Sequence, residues 1–325
     1  MMLLDQLLGE LDVRVNTFAV CEVRPGSCLV LQDDETTTIH YVLSGNGIAQ
    51  PTNGPTISLT AQTVVIAPPG TCLVVSPGWQ RQMTIPQPEC RPLQGGWDWV
   101  TVGVGDGGLV LVCGALTATH RHVMGLFDHL RAPLVENVSG DVAFRDPFLR
   151  LLDELSARRP GSRILADLLM KECLVALLRR ICESGECREP WLAALENPHL
   201  SKAISAMLDR PENSFTLEQL ASLAGMSRAR FAERFKEAFG RTAMAFLKEL
   251  RLSRAARLLE TTDLPVKSVA ARVGFSSRSH FSRAFKAAMH LEPAAYRASI
   301  LGHEDRLSGR QRKSEGTPLN SRYVP

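Results

Sequence analysis

A chain of 325 residues with 45% hydrophobic and 22% charged residues exceeds one ordinary domain and can give two domains a core each. No apolar run approaches the roughly 18 residues that span a bilayer, so a membrane role is not expected. The net charge of +3 conceals an asymmetry: beyond residue 200 there are 22 Lys and Arg against 12 Asp and Glu, whereas the first 200 residues carry 15 against 22. The basic part is where a polyanion would bind.

The opening MMLLDQLLGELDV is apolar but has no basic leader and is broken by Asp5, Glu10 and Asp12. It does not read as a secretory signal, so the chain is expected in the cytoplasm. From about Asn16 to Cys113, short runs such as SCLVLQ, TIHYVLSG, NGIAQ, TVVIAPPGT, CLVVSPG and GGLVLVCG alternate with Pro and Gly turns, the pattern of an all-β barrel or sandwich. From about His120 the period becomes helical, with FRDPFLRLLDELSA and then SRILADLLMKECLVALLRRICES. The second segment carries Ile164, Leu165, Leu168, Leu169, Leu174, Leu177, Leu178 and Ile181 on a broad apolar face. Such a face requires a partner, either the barrel or its twin in a homodimer.

The connector CREPWLAALENPH, with Pro190 and Pro198, places the domain boundary near Trp191 to His199. This gives a sensing domain over 1–190, with a helical packing or dimerisation segment at about 120–185, and a helical, basic domain over 199–298. The polar end, 303–325, has little to bury and is expected to be disordered. The eight cysteines are scattered without a CxxC pair and read as reduced structural thiols; redox sensing by Cys182 and Cys187 is the alternative.

Within residues 200–297 a motif of about 50 residues occurs twice. In FTLEQLASLAGMSRARFAERFKEAFG a short helix from Leu217 to Leu223 reaches a turn at Gly225, and Ser227 caps a second helix. In LPVKSVAARVGFSSRSHFSRAFKAAM the same parts recur: Val266 to Val273, Gly274, Ser276 or Ser277 as the cap, and a helix to about Met289. Phe231 and Phe235, like Phe281 and Phe285, are spaced i and i+4 and point into a core. The opposite faces are left for DNA: Arg228, Ala229, Ala232, Glu233 and Lys236, flanked by Arg230 and Arg234, in the first copy, and Arg278, Ser279, Ser282, Arg283 and Lys286 in the second. Arg suits guanine, Glu accepts from cytosine, and Lys favours phosphate. The amphipathic segment TAMAFLKELRLSRAARLLETT joins the copies. If it holds the two reading helices about 34 Å apart, both enter successive major-groove faces. Its Arg251, Arg254 and Arg257 are either phosphate contacts or a solvated basic face.

These motifs, with the closing EPAAYR, resemble the AraC/XylS family of bacterial transcription regulators over residues 199–297. The resemblance implies DNA-reading positions at Ala229, Arg230, Ala232 and Glu233, and at Arg278, Ser279, Ser282 and Arg283. It also implies a protein associated with the nucleoid when on DNA, with RNA polymerase as a further partner. Two positions depart from the family pattern. Ala243 replaces a proline that favours helix starts, and Met289-His290 replaces Phe-Gly, so that a histidine must take a left-handed conformation at about 1 kcal/mol.

IHYVLSGNG followed by TVVIAPPGT resembles the cupin barrels that precede such DNA-binding parts. The expected fold is therefore multidomain: an all-β cupin-like barrel with following helices, then an all-α domain of two helix-turn-helix units joined by a linker helix. Metal-dependent cupins use an HxH pair, a Glu and a later His. Here only His40 lies in the first stretch and Cys72 takes the place of the later histidine, so no metal or other cofactor is expected. His120, His122 and His129 are given ordinary core or surface roles. No P-loop, GxSxG or dinucleotide fingerprint occurs, so no enzymatic activity is expected. His40 and Cys72 are instead candidates for a small-effector pocket. The resulting function is a sequence-specific transcription regulator, activator or repressor. The alternatives are a cupin-type metal enzyme tethered to nucleic acid and a non-specific architectural DNA binder.

Overall fold

The computed structural model describes residues 2–32, 36–78, 89–92, 98–120, 124–127, 130–157, 159–183 and 190–299. Helix α1 (Met2–Gly9) is followed by strands β1 (Leu11–Val23), β2 (Leu29–Leu31), β3 (Thr37–Ser44), β4 (Gly47–Pro51), β5 (Ile57–Leu59), β6 (Thr63–Ala67), β7 (Leu73–Ser76), β8 (Glu89–Pro92), β9 (Asp98–Val102), β10 (Leu109–His120), β11 (Met124–Gly125) and β12 (Leu134–Asn137). The helical part comprises α2 (Val142–Ala157), α3 (Ser162–Glu183), α4 (Pro190–Glu196), α5 (Leu200–Asp209), α6 (Leu217–Leu223), α7 (Arg228–Phe239), α8 (Ala243–Thr261), α9 (Val266–Arg272) and α10 (Arg278–Met289). The expected sheet-rich half followed by helices is thus the observed fold. The chain divides into two compact units: the first runs from Met1 to Ser205 and includes Leu217–Ala243, and the second combines Ala206–Thr216 with the chain from Met244 onward.

In the first unit, strands in the order β12-β6-β3-β10-β1-β9-β8 form the larger sheet and β2-β7-β4-β5 the smaller one. Side chains from both sheets, including Val23, Leu29, Val42, Ala49, Leu59, Val75, Val102 and Leu111, share one buried cluster. Strand β3 explains why TIHYVLS reads as an almost unbroken apolar run. Val42 enters this cluster, while Tyr41, on the opposite face, packs on Phe148 of α2 at 4.6 Å between ring centroids. A strand covered on both faces loses its alternating pattern. Helix α3 packs on α2 and on β1, where the Val15 amide donates to Asp167 Oδ1 at 2.7 Å, beside the register shift between Val15 and Phe18.

The apolar face read for α3 divides in two. Leu169, Leu174, Leu177, Leu178 and Ile181 are buried, whereas Ile164, Leu165 and Leu168 are 67%, 45% and 58% exposed. The buried set follows the side that includes Ala166, Met170 and Cys173; the exposed three point away from it. The described cysteines are free thiols: Cys21, Cys28, Cys113 and Cys173 are buried, Cys72 and Cys182 half-buried and Cys90 exposed. Cys187, His122, His129 and the end of the chain, 303–325, lie outside the described residues, and His120 closes β10.

His40 is a buried polar residue in β3, cross-strand from Cys113 on β10 and Val65 on β6. Its Nε2 lies 3.0 Å from Thr38 Oγ1, and among the described residues its Nδ1 has no hydrogen-bond partner. Burial lowers its pKa from 6.5 to about 4, so the ring is neutral at pH 7. Between those values the unfolded chain takes up a proton that the folded chain refuses. Stability should therefore fall as pH drops from 6.5 towards 4, by up to about 3 kcal/mol from this group, with no such loss above 6.5. Chemical denaturation at pH 7 and pH 4.5 should show a larger acid loss for the native chain than for His40→Gln; equal losses would refute this role.

Candidate nucleic-acid interface

The two helix-turn-helix units share the same backbone hydrogen bonds at the turn and then differ by one residue. In the first, the Gly225 amide donates to Ser222 O and Met226 N–H to Ala221 O; in the second, Gly274 N–H donates to Ala271 O and Phe275 N–H to Ala270 O. These pairs are 49 positions apart, but the caps Ser227 and Ser277, and the phenylalanines after them, are 50 apart. Ser276 is the extra residue. The cap of α10 is therefore Ser277, whose Oγ accepts from the His280 amide, just as Ser227 Oγ accepts from the Arg230 amide. Each cap satisfies one of the amides that a helix start leaves over.

The turn glycines carry different constraints. Both have positive φ, 61° at Gly225 and 85° at Gly274. A Cβ on Gly225 would sit 3.5 Å from His199 Nδ1, an ordinary contact, whereas one on Gly274 would lie 2.5 Å from the carbonyl oxygen of Glu212. The second turn is thus pressed against the 211–213 segment. That segment is held by the linker helix α8: Arg251 donates to Pro211 O at 2.7 Å and Asn213 O at 2.8 Å, and Arg254 Nη1 meets Glu212 Oε2 at 2.6 Å. This corrects one reading of the linker arginines, because Arg251 and Arg254 are engaged in holding the chain rather than presented as a solvated basic face.

Phe231, Phe235, Phe281 and Phe285 are all fully buried. Phe231 packs on Phe235 at 5.7 Å, and Phe281 on Phe285 at 5.5 Å. In the second unit Leu252, Leu259, Val269, Val273 and Ala284 join this core, and Arg297 donates to Leu259 O and Leu264 O behind it. With those sides inward, Arg228, Ala229, Arg230, Glu233 and Lys236 on α7 are exposed and Ala232 is half-buried. On α10, Arg278, Ser279, Arg283 and Lys286 are exposed and Ser282 is half-buried.

Two carboxylates missed by sequence reasoning border these faces. Arg228 Nη1 lies 3.0 Å from Glu218 Oε1, and Lys286 Nζ 3.2 Å from Glu292 Oε1. Both pairs are well exposed, so they bias side-chain direction more than they add stability. His280 was also missed. It occupies on α10 the slot of Arg230 on α7, is exposed, and packs its ring on Phe275 at 5.5 Å. The 50-residue register of the caps, which already pairs Ala229 with Ser279 and Glu233 with Arg283, pairs Arg230 with His280. The effector candidates lie in the sheet-rich half, His40 buried and Cys72 half-buried just before β7. Among the described residues, no group of three or more His, Cys, Asp or Glu side chains is placed to hold a metal, and no helix is long and apolar enough to cross a membrane.

A family model for a helix-turn-helix domain matches residues 220–299, and one for a cupin matches residues 3–183. An uncharacterized HTH-type transcriptional regulator of Haemophilus influenzae is 35% identical over 155 residues, 47% of this chain and 52% of that protein. This match spans about half the relative's length. The RCS-specific HTH-type transcriptional activator RclR of Escherichia coli is 31% identical over 193 residues, 58% of this chain and 68% of that protein. A putative AraC-like transcription regulator of Streptomyces lividans is 30% identical over 222 residues, covering 65% of this chain and 72% of its own. In this chain a sheet-rich cupin half precedes two helix-turn-helix units. The chain belongs to the AraC-like family of transcription regulators.

His290, the residue after α10, has φ of 58°, as the replacement of the usual glycine required. His290→Gly should raise stability by about 1 kcal/mol, read as a higher denaturation midpoint; an unchanged midpoint would show that the left-handed histidine carries no strain. Gly274→Ala should lower stability by more than about 2 kcal/mol, because backbone must move, and Gly225→Ala by only about 1 kcal/mol. Equal effects of the two glycine variants would contradict the close approach at Glu212.

Proposed function

We propose that this chain is a sequence-specific DNA-binding transcription regulator of the cytoplasm, in which an effector held by the sheet-rich half alters how the two helix-turn-helix units are presented. The observation that carries the reading is the pairing of capped helices α7 and α10, each with its phenylalanines buried and an exposed face of arginine and small polar or apolar residues. Arg278 and Arg283 are the guanine and phosphate readers of α10. Arg230 and Glu233 read from α7, where Ala229 and Ala232 leave room for thymine methyls. An effector acts only through a difference in its affinity for the two arrangements. The chain has no catalytic role in this reading, and RNA polymerase is its partner at promoters.

The exposed Ile164, Leu165 and Leu168 on α3, with Leu149 of α2 at 47% exposure, support homodimerisation through this face. Covering such residues in a symmetric pair removes apolar surface from water at roughly 25 cal/mol per Å². Light scattering should find a dimer for the native chain and a monomer for Ile164→Glu with Leu168→Glu. A dimer that survives both substitutions would place the interface elsewhere.

The double variant Arg278→Ala, Arg283→Ala should bind a fragment selected from genomic DNA more weakly by about 1–3 kcal/mol for each base-contacting arginine, with relaxed base preference. Gel shifts at fixed salt check this. Equal affinity of the variant and the native chain would remove the assigned roles, and uniform binding to unrelated fragments would favour an architectural DNA binder.

A further inference from the structure

The first reading helix is fastened by a residue that lies outside the DNA-binding region, in the sheet-rich half. Arg131 Nη2 donates to the carbonyl oxygens of Glu237 at 2.9 Å and Lys236 at 3.2 Å, in the last turn of α7. A helix leaves its last four carbonyls without partners inside the helix and carries partial negative charge at that end. Gly240, in the left-handed conformation, returns its own amide to Lys236 O. The guanidinium adds a donor for Glu237 O and a positive charge where the helix favours one.

Arg131 is itself held in place by the sheet. In the segment that carries it, the Leu126 amide donates to Ala118 O on β10 at 2.7 Å, and the Leu130 amide to Phe127 O. Leu126, Phe127 and Leu130 are buried, and the chain then enters β12, which pairs with β6. The other parts of α7 are seated by the same compact unit: α4 packs against it, and His199 Nδ1 lies 3.1 Å from Ala224 O in the turn that leads into it.

From this geometry we infer that Arg131 is a positioning residue for DNA reading, which sets the direction of α7 from the larger sheet and so links the sheet-rich half to the first helix-turn-helix unit. This rests on the proposal that α7 reads DNA. Arg131 touches no base. It acts through the backbone of α7, so its removal should alter preference at the positions that α7 reads and leave those of α10 intact.

The test uses the full chain, a random-sequence duplex pool and sequencing of the bound fraction. Arg230→Ala and Glu233→Ala identify the base positions read by α7, and Arg283→Ala those read by α10. Arg131→Ala should lower preference at the α7 positions by about fivefold, the scale of one net hydrogen bond, without change at the α10 positions. Arg131→Lys, which keeps the charge but not the planar fork, should restore part of that loss. Native preference at the α7 positions in Arg131→Ala overturns the inference, as does a loss shared equally by both groups of positions. A native chain that selects no sequence removes the DNA-reading proposal as well, whereas a selecting chain indifferent to Arg131 removes this inference alone.

Discussion

Burial of two phenylalanines four residues apart decides which side of each reading helix meets water. Phe231 and Phe235 close the core of the first unit, and Phe281 and Phe285 that of the second. Because side chains at i and i+4 share one helix face, their burial leaves Arg230 and Glu233, or Ser279 and Arg283, on the outside. The capping serines, turn glycines and linker helix all act on a rotation that these rings have already chosen. Phe→Ala changes in a packed core typically lose 3–5 kcal/mol, more than a cap or an exposed ion pair contributes, which places the aromatic pairs first among the terms that set the interface.

The two units reach the same geometry with different support. The first has its turn beside His199, its side against α4 and its end under Arg131, all within the compact unit that contains the two sheets. The second is held by the 211–213 segment, which Arg251 and Arg254 grip from α8 and which presses on Gly274. One additional residue, Ser276, lengthens the second turn and shifts the repeat from 49 to 50. Their exposed faces also differ, with an acidic Glu233 and two alanines in one and two arginines with two serines in the other.

The features legible in the sequence are those that local chemistry determines. Glycine at a turn, serine three residues before the amide it caps and paired aromatics at helical spacing identify both units, and the left-handed histidine at 290 follows from the missing glycine. Non-local features were not legible. The partners of Arg251 are 38 and 40 residues away, and those of Arg131 are 105 and 106 away, distances at which no periodicity operates. Strand β1 was read only in part because its alternation slips at the register shift, with Leu11, Val13 and Val15 buried before it and Phe18 and Val20 after it. The apolar face of α3 was legible as composition, but not its division into a buried side and an exposed patch. The pocket candidates His40 and Cys72 came from resemblance alone; burial makes His40 a neutral imidazole inside the sheets.

The central claim is that two unequal helix-turn-helix units read one stretch of DNA together. Missing-contact footprinting of the full chain on a fragment it selects addresses this most directly, because it reports each contacted base and phosphate without presupposing which helix is responsible. The account predicts two clusters of contacts about 10 base pairs apart, with the stronger guanine and phosphate contacts in the cluster lost from an Arg278→Ala, Arg283→Ala chain. A single cluster, or weak contacts spread evenly along the fragment, would contradict it.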